Sequence, residues 1–106
     1  MANKQQFQSF EDLLAGAETP VLVDFYATWC GPCQMMASIL ATVSRRLKGE
    51  LKIVKIDTDK YPQIASQYQV AALPTLVLFK AGKPIDRIEG VLPAEQLVTR
   101  LRPHLA

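Results

Sequence analysis

Two cysteines, Cys30 and Cys33, stand three positions apart in the stretch ATWCGPCQMM, residues 27–36, and they are the only two in the chain. Such a pair can serve as a metal clip, a structural staple or a thiol–disulfide exchange centre. A few residues upstream, Asp24 sits in the middle of VLVDFY, where apolar neighbours on both sides imply burial. Isolated burial of a carboxylate is expensive, so Asp24 should have a raised pKa and be able to exchange a proton near neutral pH. On the residues alone, a merely structural buried acid and a functional one stand equally open.

Cys30 falls where a buried strand ends and a helix begins, at the carboxyl edge of the sheet, which is where open α/β folds place their sites. The unpaired N–H groups and positive dipole end of a helix start favour a thiolate there, which makes Cys30 the expected nucleophile. Cys33 lies within the first turn, with its Cα about 5 Å from that of Cys30, inside disulfide range. Pro32 lacks an N–H that would go unpaired in that turn anyway, and Gly31 leaves room for another chain to approach. A staple across so short a loop restricts the unfolded chain little. A closed zinc site needs four ligands, and the single His104 is at the far end of the chain, so no metal is expected unless a cluster is shared between two chains.

The elements that must position this pair follow from the rest of the chain. With 106 residues, about half of them apolar, the chain reads as one domain over residues 1–106, able to bury a core without staples. Twelve basic and ten acidic residues leave a net charge of +2. The cluster Arg45, Arg46 and Lys48 suits a helix C-terminus and is a poor nucleic-acid footprint. MANKQQFQSF lacks the apolar region of a secretory signal, and no apolar run approaches the roughly 20 residues that span a bilayer. The expected setting is cytoplasmic, although a transit peptide already removed would leave no trace. In a reducing compartment a lone cysteine pair points to catalysis or metal binding.

SFEDLLAGA reads as a short helix capped by Ser9 and stopped near Gly16. PVLVDFYA reads as a strand covered on both faces. From Pro32, the apolar residues Met36, Ile39, Leu40, Val43 and Leu47 fall at helical spacing up to Gly49. LKIVKID is a second strand, followed by a short helix capped by Asp59. TLVLF, the turn KAGKP and an edge strand IDRIEG come next, and a closing helix from Pro93 buries Ala94, Leu97, Val98 and Leu101. Helix, strand, helix, strand, helix, strand, strand, helix argues for a three-layer α/β domain with a parallel half and a final hairpin.

WCGPC resembles the active-site motif of the thioredoxin family. LVDFYATWCGPC, VKIDTDKYP, LPTLVLFKAGK and EGVLPAEQL are similar to thioredoxin segments in the same order, most like the y-type of chloroplasts and cyanobacteria. The resemblance implies a five-stranded mixed sheet flanked by four helices and an enzyme that reduces disulfides in partner proteins. It implies no bound cofactor, only a redox-active Cys30–Cys33 disulfide recharged by an external reductase, either an NADPH-flavoprotein or a ferredoxin-linked enzyme. No nucleic-acid or membrane partner is expected, and the protein should be a monomer. By the same resemblance Asp24 acts on Cys33 through water, Lys55 lies beside this acid, and Leu73–Pro74 is a cis bond packed against the disulfide. Trp29, Leu73, Pro74, Gly90 and Val91 should line a shallow groove around Cys30, with the backbone of Leu73 open to an extended substrate segment.

Several positions depart from the common family pattern. Gln34 stands where a lysine is frequent, Ser38 where a kinking proline is frequent, which predicts a straighter helix. Tyr26 replaces a common Trp, and Glu89 places a charge beside Gly90. Two other functions stay open: a disulfide oxidase or isomerase with a less stable bridge, and a binding scaffold that leaves its thiols unused.

Overall fold

A computed structural model describes residues 4–105. Its elements are α1 (Lys4–Gly16), β1 (Val21–Tyr26), α2 (Gly31–Arg46), β2 (Lys52–Asp57), α3 (Pro62–Gln67), β3 (Thr75–Lys80), β4 (Lys83–Glu89) and α4 (Ala94–Leu101), with a 3-10 turn over Arg102–His104. The sheet order is β2-β1-β3-β4. β1 runs parallel to β2 and antiparallel to β3, and β3 and β4 form a hairpin.

Alternation along the strands builds the two cores. Leu22, Leu76, Leu78 and Ile88 face α2 and α4, meeting Met36, Leu40, Val43, Leu97, Val98 and Leu101. Val21, Val23, Phe25, Ile56, Val77 and Phe79 face α1 and α3, meeting Phe10, Leu14, Ile64 and Ala65. Both faces of the sheet are therefore covered, which explains why β1 and β3 read as continuous apolar runs. The α2 positions Met36, Leu40 and Val43 and the adjoining Leu47 are fully buried, and the helix runs unbroken through Ser38. In α4, Leu97, Val98 and Leu101 are buried, while Ala94 is half-buried.

Three expectations are corrected. Among the described residues the sheet has four strands rather than five. The segment ahead of β1 is helical from Lys4, and among the described residues β2 keeps one edge unpaired; the alternation of elements in the sequence already counted four. Ser9 does not cap α1 but lies inside it. The helix starts earlier because Phe10 and Leu14 bury at i, i+4 with Phe7 half-buried ahead of them. Asp59 does not cap α3, whose N-cap is Tyr61 with no side-chain bond; its carboxylate is engaged elsewhere.

Candidate active site

β1 and β2 are parallel, so both end at the same edge of the sheet, and the loops that follow them are neighbours. The loop after β1 carries Thr28, Trp29 and Cys30 to the start of α2. Cys30 is the N-cap of that helix, and its Sγ accepts the Cys33 N–H at 3.2 Å. Pro32 occupies the first turn, where no intrahelical bond is lost. The two cysteines are joined as a disulfide with their Cα atoms 5.3 Å apart.

Exposure does not tell the cysteines apart, since each is 5% exposed; their neighbours do. Cys30 Sγ takes the free amide at the positive end of α2, whereas Cys33 lines a cavity of about 290 Å³ behind the disulfide. Asp24, Tyr26, Ala27, Thr28, Gln34, Ala37 and Lys55 complete its walls.

Asp24 is 1% exposed, and its Oδ1 has no hydrogen-bond partner among the described residues. Burial pushes its pKa up from 3.8 to about 6, opposed in part by the positive charge of Lys55. Lys55 is the register partner of Asp24 on β2 and lies on the same sheet face, but it is itself exposed. Lys55 thus borders the acid's cavity while its side chain reaches solvent.

On the front of the disulfide, Trp29 is 72% exposed and Gly31 and Pro32 are also at the surface. The Trp29 indole N–H donates to Asp59 Oδ2 at 2.8 Å. Leu73 and Tyr26 pack against Ala27, Cys30 and Cys33. The Leu73–Pro74 bond is cis, and Gly90, at a positive φ of 87°, donates its N–H to the Pro74 carbonyl at 2.9 Å. Val91 turns partly inward against the α2–α4 core, which makes it the least available of the expected groove residues. Asp59 and Tyr26 are the residues the sequence did not assign to the site. The signal for Asp59 was its place just past a strand parallel to β1, which brings it to the same sheet edge.

A disulfide bridging the N-cap and first turn of a helix, at the carboxyl edge of a mixed α/β sheet, defines a thiol–disulfide oxidoreductase. The Thioredoxin family model matches residues 2–103, and the chain belongs to that family. It is 62% identical over 102 residues to a thioredoxin-like protein of Synechocystis sp., covering 96% of this chain and 97% of the relative. It is 59% identical over 104 residues to chloroplastic thioredoxin Y1 of Arabidopsis thaliana, covering 98% of this chain but 60% of that longer relative. Among solved structures, chloroplastic thioredoxin z superposes with a TM-score of 0.82 at 40% identity, over 91% of this chain and 87% of the other. The crystal structure of that protein is described as defining a type-specific target recognition. The chain is accordingly a thioredoxin-type protein-disulfide reductase that cycles the Cys30–Cys33 pair. Among the described residues, no three metal-ligating side chains cluster, and no helix is long and apolar enough to cross a membrane.

Proposed function

We propose that Cys30 and Cys33 act in sequence on disulfides of partner proteins. The Cys30 thiolate attacks one partner sulfur, expels the other as a thiolate that takes up a proton, and leaves a mixed disulfide. Cys33 loses its proton to Asp24 and attacks Cys30 Sγ. The partner sulfur that was bonded to Cys30 then leaves as a thiolate and takes up a proton from solvent, and the Cys30–Cys33 bridge closes, two electrons having passed to the partner. The observation that carries this order is the asymmetry behind the bridge: Cys30 sits on the helix amide, and Cys33 shares a cavity with a buried carboxyl.

The cavity holds room for water between Asp24 and Cys33, so proton transfer needs no direct contact. The positive charge of Lys55 offsets part of the burial penalty of Asp24, whose pKa stands at about 6. Trp29, Leu73, Pro74 and Gly90 form the substrate-facing groove, and Val91 contributes through its backbone. The Leu73 N–H and C=O make no backbone hydrogen bond among the described residues and are open to an extended segment. Targets are folded proteins with an accessible disulfide; the electron donor is a thioredoxin reductase of the NADPH-flavoprotein or ferredoxin-linked class. The protein works as a monomer in the cytoplasm or chloroplast stroma.

The test is the equilibrium potential of the Cys30–Cys33 couple against glutathione, paired with an insulin-type disulfide-reduction assay. A couple more reducing than the glutathione pool, with turnover abolished in the Cys30→Ser, Cys33→Ser double variant, is the expected result. A couple at or above that pool would assign the chain to oxidation or isomerisation instead.

A further inference from the structure

Asp24 has almost no surface of its own, yet a carboxyl that takes the Cys33 proton must pass it on to solvent if the Cys33 thiolate is to persist until it attacks. The way out is the cavity, and its polar lining is short: the Asp24 carboxyl and Tyr26 phenol from β1, Thr28 from the following loop, Cys33 and the Gln34 amide from α2, and the Lys55 ammonium from β2. Of these, only a hydroxyl can accept one proton and release another without changing charge or tautomer. Thr28 is exposed and beyond the end of the strand. Tyr26 is half-buried, two residues from Asp24 on the same strand face, and packs against the Cys30–Cys33 cluster. Two residues of strand span about 6.5 Å, a gap that one or two waters close. Asp24, whose Oδ1 has no hydrogen-bond partner among the described residues, lines a cavity of about 290 Å³, large enough to hold them.

We propose that the Tyr26 hydroxyl is the relay through which Asp24 exchanges protons with solvent during the Cys33 step. Cavity water takes the proton from the Asp24 carboxyl and passes it to the Tyr26 oxygen as the phenol gives its own proton to outer water. One proton reaches bulk, the phenol is regenerated, and no electron passes through the ring. Tyr26 is thus a positioning residue acting through Asp24, and the idea rests on the reading of Asp24 as the base for Cys33.

Tyr26→Phe keeps the ring and its packing and removes only the hydroxyl. Resolution of a preformed mixed disulfide at Cys30 should slow on the order of tenfold, with the solvent deuterium isotope effect enlarged and the rate restored by millimolar imidazole. The Cys30–Cys33 equilibrium potential and the thermal midpoint should not move. A Tyr26→Phe rate equal to the parent's, or a slowing that imidazole leaves untouched, overturns the relay. So does a slowing matched by a shift in potential, because the hydroxyl would then act on the equilibrium. Asp24→Asn run in parallel separates the two ideas: if it resolves the mixed disulfide at the parent rate, the base assignment fails, whereas a slow Asp24→Asn beside a normal Tyr26→Phe removes the relay alone.

Discussion

The Trp29 indole N–H reaches Asp59 Oδ2 at 2.8 Å, so the residue before Cys30 is fastened to the loop that leaves the neighbouring strand. Trp29 is otherwise mostly in solvent, and an aromatic ring left free to rotate would meet a partner in many orientations. The hydrogen bond fixes one of them and gives the front of the site a rigid apolar wall. Thr58, next to Asp59, adds to the same junction, its N–H and hydroxyl both donating to the Tyr26 carbonyl at 2.8 and 3.1 Å.

Removing the acceptor in Asp59→Ala should loosen the indole at little expense to the fold, roughly 1 kcal/mol or less for an exposed bond. Since Trp29 is the only tryptophan, its fluorescence anisotropy reads the change directly and should fall. KM for a protein disulfide should rise several-fold while kcat holds, and Asp59→Asn, which keeps an acceptor oxygen, should recover most of the loss. Unchanged anisotropy in Asp59→Ala would show that the ring is held by packing instead.

The unequal surroundings of the two cysteines lead to unequal variants. Cys33→Ser should still attack a partner disulfide and then stall, accumulating a covalent complex through Cys30 that intact-mass measurement detects and dithiothreitol reverses. Cys30→Ser should form no such complex at neutral pH. Trapping through Cys33 in Cys30→Ser at a comparable rate would reverse the assigned roles.

Glu89 is exposed on the last residue of β4, beside the Gly90 that closes on Pro74, and its nearest cation is Arg87 at 3.8 Å. A loose pair of this kind leaves most of the negative field available to a docking partner. Glu89→Lys should lower the association rate with partners whose disulfides lie among basic residues by about tenfold at low salt, with the difference fading as ionic strength rises. Stopped-flow traces that give the same rate for both proteins across the salt series would remove Glu89 from partner selection.

The parts of this molecule that were legible in the sequence are those where one strong local pattern acts alone. The apolar spacing of Met36, Leu40, Val43 and Leu47 marked α2, and the Ala81–Gly82 turn, with φ values of 53° and 81°, marked the hairpin between β3 and β4. Errors arose where two readings of one residue type compete. Ser9 and Asp59 both suit a helix cap, but Ser9 was overridden by the burial of Phe10 and Leu14 along a longer helix, and Asp59 by a partner thirty residues away across two parallel strands. At the site, the CGPC pair and Asp24 were readable because helix starts and apolar flanks have local signatures. The cavity that links Asp24, Tyr26 and Cys33 is made by three elements together, and no segment carries it alone.

Burial of Asp24 also fixes how stability should depend on pH. Its pKa is raised in the folded protein to about 6 from 3.8, so between those values the native state holds more proton than the unfolded chain. Stability must therefore fall as pH rises through that window, and the penalty is fully present above it. A shift of this size corresponds to on the order of 3 kcal/mol. Asp24→Asn removes the ionisation, so urea unfolding of the oxidised protein should find the variant more stable than the parent at pH 7.5, by up to about 3 kcal/mol. The advantage should shrink below pH 6 and be gone near pH 4, where the parent's carboxyl is also neutral. Disulfide reduction at pH 7.5 should meanwhile slow, because in the proposed mechanism the group that destabilises the fold also takes the Cys33 proton. A pH-independent gap between the two unfolding curves would mean that Asp24 does not ionise in this range, and its service as a base would fall with it.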